Sequence, residues 1–154
     1  MGISNSMGES FRRASISAGN KVPNSGTVFI SVNDGDKLDI IPIARDLNEI
    51  GFKLIATSGT TKELKRNGLP VMSVFKVGEG RPNVLDGIKN GEVNLVINTP
   101  MGARSRYDEE SIGRACIQKG IEAITTLSGA EAAVRAIRLG GRKIEVKSIQ
   151  EYHI

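Results

Sequence analysis

The fold is decided by residues 27–32, which read TVFISV. This run is rich in β-branched side chains and shows no alternation of apolar and polar residues, which is typical of a strand covered on both faces. The preceding stretch, residues 23–26, reads PNSG and has the composition of a turn. The run therefore predicts an internal strand at the start of the folded region.

Strand and helix patterns alternate after this run. Helices are predicted where apolar residues recur at helical spacing, over 38–50, 62–66, 84–90, 109–119 and 130–139. The other strands are predicted over 53–57, 71–74, 95–98 and 123–126, and a terminal strand over 144–149 closes the domain. Strands that alternate with helices require right-handed crossovers. The predicted fold class is α/β, doubly wound, with a mostly parallel five-stranded sheet and helices on both faces.

Composition limits the classes of partner. The chain has 154 residues and a formal net charge of +4, but its few aromatic residues are scattered, which argues against nucleic-acid binding. It has no apolar run long enough to span a membrane and no signal-peptide core, so a cytoplasmic protein is expected. Cys116, the lone cysteine, lies in a helical stretch and is interpreted as a small buried residue.

Residues 1–26 differ from the rest of the chain because they are rich in Ser, Asn and Gly. We predict that they form a linker or a tail, with the folded domain over 27–154. Within this segment, residues 7–19 predict a short helix whose few apolar members make a poor core. A packing partner outside this chain is therefore expected for that helix.

The loop after the second strand, residues 57–61, reads TSGTT. It places four hydroxyl groups and a glycine at the start of a helix, where free N–H groups and the helix dipole favour an anion. The sequence therefore predicts a phosphate cup. A plain helix cap by Thr60 or Thr61 explains the local pattern equally well.

Ligands bind at the carboxyl ends of strands in such sheets, so the loops after the other strands are also candidates. These loops carry two cations and an amide. Lys37 follows the first strand, Lys76 follows the third, and Asn98 ends the fourth. Glu79 is the one carboxylate available as a general base in the loop after the third strand, and the lone histidine, His153, is terminal. One Cys and one His cannot make a zinc site, so no metal is expected.

Read together, the chain resembles the methylglyoxal-synthase-like fold, and most closely the C-terminal allosteric domain of the carbamoyl phosphate synthetase large subunit. The resemblance covers residues 27–153 and rests on these stretches: VFISV (28–32), ATSGT (56–60), KVGEGRP (76–82), IKNGE (88–92) and INT (97–99). Residues 7–11 with 18–19 also resemble the tail of a preceding ATP-grasp domain.

The resemblance implies a regulatory domain that binds nucleotide effectors such as UMP and IMP through their phosphate. The phosphate contacts expected from the resemblance and from the TSGTT turn are Ser31, Lys37, Thr57, Ser58, Gly59, Thr60 and Lys76. The base or ribose is expected on Asn98 and Thr99, and an ornithine contact on Thr125.

The resemblance also implies that the domain has no catalytic residues and no cofactor of its own. ATP, Mg²⁺ or Mn²⁺, and K⁺ would belong to the rest of an ATP-dependent ligase. The expected partners are the ATP-grasp domains of the large subunit, the glutaminase small subunit and further copies of the chain, without nucleic acid or membrane. The alternative is a methylglyoxal-synthase-like lyase acting on dihydroxyacetone phosphate with Glu79 as its base, although the family's catalytic Asp and histidines are missing.

Overall fold

The computed structural model describes residues 1–99, 102, 106–140, 144 and 146–152. Its strands are β1 (Thr27–Ser31), β2 (Lys53–Ala56), β3 (Val71–Ser73), β4 (Leu95–Asn98) and β5 (Glu122–Ile124). Its α-helices are α1 (Met7–Ser17), α2 (Ile40–Ile50), α3 (Ser58–Arg66), α4 (Val84–Lys89), α5 (Arg106–Lys119) and α6 (Leu127–Arg138). Two short 3₁₀ helices cover Asp34–Asp36 and Ile149–Tyr152.

The five strands form one sheet in the order β3-β2-β1-β4-β5, and every neighbouring pair is parallel. The chain builds outward from β1 to β3 on one side and then crosses to β4 on the other. Strand order therefore reverses between β1 and β4, which is where open α/β sheets leave a crevice for a ligand. The predicted α/β fold class is confirmed.

The core lies on both faces of the sheet, as the composition of β1 predicts. Val28 and Ile30 pack on one face against apolar side chains of α2, α3 and α6. Phe29 points to the opposite face and packs with residues of α4 and α5. Because successive side chains of a strand point to opposite faces, only a strand that is apolar throughout can be buried on both sides.

The helix predicted over 62–66 begins earlier, at Ser58. The N–H of Thr61 donates to the carbonyl of Thr57 at 2.8 Å and closes the first turn. The residues predicted as a cup before the helix are therefore its N-cap and first turn.

Two other predicted boundaries shift for reasons of capping. Residues 34–36 form a 3₁₀ turn because the N–H of Asp36 donates to the Asn33 side chain at 3.1 Å, so α2 starts at Ile40 and Leu38 is 69% exposed. The strand predicted over 123–126 ends at Ile124 because the Thr126 hydroxyl caps α6, accepting from the N–H of Gly129 at 3.1 Å.

The terminal strand predicted over 144–149 is wrong for the described part of that range. Val146 is 94% exposed and belongs to no strand, and a 3₁₀ helix begins at Ile149. The backbone N–H and the hydroxyl of Ser148 both donate to the Glu151 carboxylate, at 2.6 and 2.8 Å. This local capping satisfies polar groups that a strand would have paired with a neighbour.

Residues 7–19 have a packing partner within the chain, and a partner outside it stays a prediction. Helix α1 packs along α6, and Phe11 contacts the core from its edge. Gly8 allows the approach, since a β-carbon built on it would stand 2.9 Å from the carbonyl carbon of Arg135. The predicted division of the chain at residue 26 stays a prediction.

In the part of the chain that the structure describes, no helix is long and apolar enough to cross a membrane.

We expect Gly8→Ala to destabilise the protein by about 1–3 kcal/mol, because the added methyl group meets backbone atoms of α6 that cannot move aside. Gly113→Ala is the matched control: it lies within α5 with open space around its β-carbon position, so it should gain about 0.5–1 kcal/mol. Urea unfolding measures both. Equal effects of the two substitutions would contradict the close packing of α1 on α6.

Cys116 should be almost unreactive in the folded protein. It is fully buried, and burial raises the pKa of its thiol from 9.0 to about 11, so the thiolate fraction at pH 8 falls about a hundredfold. Labelling with a thiol reagent at pH 8 should therefore be at least that much slower in native buffer than in concentrated urea. Comparable rates in the two conditions would show that the helix α5 opens readily.

Candidate functional site

The candidate site lies at the carboxyl edge of the sheet, at the reversal between β1 and β4. Ser31 and Asn98 are direct register partners there, and Thr57 follows Ala56, the partner of Ile30. A cavity of about 340 Å³ opens between them. Its walls are formed by Phe29, Ser31, Thr57, Lys76, Val77, Glu79, Val84, Asn98, Asp108, Glu109 and Ile112.

Thr57 is the N-cap residue of α3, but its side chain does not cap the helix. The hydroxyl instead lies 3.4 Å from both Ser31 Oγ and Thr60 Oγ1. The Thr57 side chain therefore leaves the N-terminus of α3 uncapped. Backbone N–H groups of the first turn point out of such a terminus together with the positive end of the helix dipole, which is a favourable position for an anion.

The hydroxyls of Thr60 and Thr61 have internal roles. Thr60 is 1% exposed, and its hydroxyl oxygen accepts from the N–H of Val32 at 3.4 Å. The Thr61 hydroxyl donates to the carbonyl of Ala56 at 3.0 Å. These bonds tie the first turn of α3 to β1 and β2. In contrast, Ser58 and Gly59 face solvent.

The Lys37 ammonium lies over the same turn. Its Nζ is 3.3 Å from the point where a β-carbon on Gly59 would stand, so the glycine allows the approach. The same Nζ is 2.5 Å from the Asp34 carboxylate. The hydrogen bond and the charge of Lys37 lower the pKa of Asp34, and the charge of Lys76 adds to that effect.

Lys76 stands on the loop between β3 and α4. Its backbone N–H donates to Glu79 Oε2 at 3.3 Å, which holds the two residues on the same side of the loop. The loop ends at a capping box in which the Asn83 side chain accepts from the N–H of Asp86 while the Asp86 carboxylate accepts from the N–H of Asn83. Lys76 and Glu79 therefore reach the cavity from a loop that is anchored at its far end.

Two residues expected at the site lie elsewhere. Thr99 is buried, and its hydroxyl accepts from the backbone and side-chain nitrogens of Asn33 at 3.0 and 3.2 Å. Thr125 is exposed after β5 and does not line the cavity. His153 and the Pro100 that follows Thr99 lie outside the described residues. Of the two residues predicted for the base or ribose, Asn98 faces the cavity.

Sequence reasoning missed the contribution of α5, whose carboxylates Asp108 and Glu109 line the cavity opposite the loop. Burial raises the pKa of Asp108 above its ordinary value, the charges of Glu79 and Glu109 add to the rise, and the charge of Lys76 opposes it. As the pH falls through that raised pKa, Asp108 becomes neutral and the cavity becomes more favourable for an anion. The sequence shows two acids near the start of a predicted helix, but it does not show that this helix packs with those acids toward the cavity.

Among the described residues no group of three or more His, Cys, Asp or Glu side chains is placed to hold a metal ion. The arrangement can instead bind an anion at the N-terminus of α3 beside Lys37 and Lys76, and a polar ring or sugar against Asn98 and the apolar walls.

The chain matches a known family of domains. The family model described as the MGS-like domain matches residues 39–125, more than half of the chain. This range includes the first turn of α3, Lys76 and Asn98.

Curated relatives match the chain over nearly its whole length. The carbamoyl phosphate synthase large chain of Archaeoglobus fulgidus is 50% identical over 99% of this chain, and that of Acidobacterium capsulatum is 45% identical over 99%. This chain covers 14% of each of those proteins. The "Carbamoyl phosphate synthase large chain, C-terminal section" of Aquifex aeolicus is 43% identical over 99% of this chain, which covers 30% of it.

A solved structure supports the fold alone. The crystal structure of ForH superposes with a TM-score of 0.58 at 16% identity, covering 75% of this chain and 80% of that one. The family match and the relatives confirm the resemblance inferred from the sequence motifs. The chain belongs to the MGS-like domain family.

Proposed function

We propose that this chain is the regulatory domain of a carbamoyl phosphate synthase large subunit and binds a nucleotide effector, UMP or IMP, by its phosphate. The observation that carries the proposal is the cavity at the reversal between β1 and β4, with Lys76 on its wall and the uncapped N-terminus of α3 at its rim. Its volume of about 340 Å³ falls within the range of small-molecule sites.

The phosphate is assigned to the first turn of α3. Backbone N–H groups of Ser58, Gly59 and Thr60 donate to its oxygens, and the Lys37 and Lys76 ammonium groups neutralise its charge. Thr60 contributes through its backbone, because its hydroxyl is already bonded to β1. The hydroxyls of Ser31 and Thr57 lie deeper and complete the wall of the phosphate end.

The base and ribose are assigned to the opposite part of the cavity. The Asn98 amide supplies both a donor and an acceptor, which suits the polar edge of a pyrimidine or a hypoxanthine ring. Val77 and Ile112 supply apolar contact for its faces. Thr99 supports this end indirectly by holding Asn33.

The chain covers 14% of the length of the full-length relatives named above, so its partners are part of the proposal. They are the ATP-grasp domains of the large chain, which bind ATP and metal ions, and the glutaminase small subunit. Effector binding regulates those sites only if the effector has different affinities for two states of the enzyme. Thr125, exposed after β5, is proposed to contact ornithine where this domain meets its neighbour. A reduced, buried Cys116 suits the cytoplasm expected for such an enzyme.

The alternative is a lyase acting on dihydroxyacetone phosphate, for which the same cavity would hold the phosphate. Glu79 lines the cavity and would act as the base. The regulatory function is preferred because the curated relatives are synthase large chains. In addition, residues 78–82, where the lyase needs its catalytic Asp, contain none, and the lone histidine, His153, is terminal.

We expect isothermal titration calorimetry to detect binding of UMP or IMP to the chain. Lys37→Met and Lys76→Met should each weaken that binding by about tenfold or more, because each removes a charge-assisted contact to the phosphate. Lys119→Met is the control, since this exposed lysine ends α5 at the opposite edge of the sheet. Failure of both nucleotides to bind the chain and the intact synthase would overturn the proposal.

The same protein should release no methylglyoxal from dihydroxyacetone phosphate, even at high protein concentration, because the loop over residues 78–82 carries no Asp. A colorimetric assay for methylglyoxal measures this, with a true methylglyoxal synthase as the positive control. Turnover that disappears in Glu79→Gln would establish the lyase and refute the regulatory function.

A further inference from the structure

The Lys37 ammonium has two neighbours that compete for it. One is the Asp34 carboxylate, whose oxygen lies 2.5 Å from Nζ. The other is the open first turn of α3 at Gly59, where an anion would sit. The Asp34 side chain is 88% exposed, and Lys37 is its sole ion-pair partner among the described residues. The pair is therefore formed without being fixed by surrounding atoms.

An anion on this turn would bring a second negative group to the same ammonium. Three N–H donors allow Lys37 to contact both, but the carboxylate and a phosphate dianion repel each other at that distance. Asp34 also senses the charge of Lys76, the other cation of the site. When an anion binds, either Asp34 moves away from Lys37 or the repulsion between its carboxylate and the anion lowers the affinity.

The other acids of this segment do not share the position. Asp36 accepts from the Asn33 side-chain amide at 2.6 Å and supports the 3₁₀ turn. Asp39 precedes α2, makes no side-chain cap bond and has no ion pair among the described residues. Of the three acids Asp34, Asp36 and Asp39, Asp34 is the one that forms an ion pair with Lys37 among the described residues.

We propose that Asp34 is a positioning residue that sets the affinity of the site: it holds Lys37 beside α3 in the free protein and competes with the ligand's phosphate for the ammonium. This inference rests on the proposed function, in which Lys37 contacts that phosphate. Asp34 keeps effector binding weak and reversible without touching the base or the ribose.

The test is calorimetry at low salt with UMP, IMP and inorganic phosphate. Asp34→Asn should tighten the binding of all three by about threefold to tenfold, as expected for removing one exposed like charge next to the ligand. Asp34→Glu keeps the carboxylate and should stay near wild type. Asp39→Asn removes the same charge five positions away and should change affinity by less than about twofold.

A double-mutant cycle separates competition for Lys37 from a general charge effect. In the Lys37→Met background, Asp34→Asn should lose most of its gain, because the contested ammonium is gone. A gain that persists undiminished, or weaker binding in Asp34→Asn alone, would overturn the inference while the nucleotides still bind.

The outcomes distinguish the inference from the proposed function. If inorganic phosphate binds and is tightened by Asp34→Asn while UMP and IMP do not bind, the effector assignment fails and the role of Asp34 stands. If none of the three ligands binds any variant, both fail.

Discussion

The whole site depends on the parallel pairing of β1 with β2 on one side and β4 on the other. Because β1 is hydrogen-bonded along both edges and buried on both faces, its register cannot slip without turning its apolar side chains to the wrong layer. That register places Ser31 beside Asn98 and brings Thr57 to the same edge. The loops start from these strand ends, so the register of the sheet sets the distances between the side chains that the loops carry. The cavity lies where strand order reverses because the crossovers leave that edge uncovered.

In the first turn of α3, some residues bond to the sheet and others stay open to solvent, where the proposed phosphate would bind. Thr57 does not cap its own helix, although a capping side chain is generally worth about 1 kcal/mol. Its hydroxyl is directed to Ser31, while those of Thr60 and Thr61 bond to the backbone of β1 and β2. These hydrogen bonds hold the first turn of α3 against the sheet, although the side chain of Thr57 does not cap the helix. The N-terminus of the helix stays open toward solvent, and Gly59 leaves room for Lys37 above it.

The sequence alone predicts the sheet, the order of its elements and the loops that carry the site, because these follow from local patterns such as TVFISV and the positions after each strand. It does not predict which hydroxyls are free. Whether Thr60 and Thr99 face a ligand or the interior depends on the register of β1 against its neighbours, which no local pattern encodes. The approach of α1 to α6 and the entry of Asp108 into the cavity are likewise contacts between segments far apart in the chain. Residues 144–149 have the apolar and β-branched types of a strand. The backbone N–H of Ser148 nevertheless bonds to the Glu151 side chain instead of to a neighbouring strand.

If the cavity is regulatory, as proposed, the charges around it have to do more than attract an anion. Lys37 and Lys76 would attract a phosphate, but Asp34 lies beside Lys37, and the charge of Lys76 acts on Asp108, which lines the cavity together with Glu79. Cations alone would raise the affinity for a phosphate in every state that keeps them in place. A ligand shifts an equilibrium only through the difference between its affinities for two states. Carboxylates that offset the attraction lower the affinity that the two states share, and a different position of Lys37 or of the Lys76 loop in each state would supply the difference on which regulation depends.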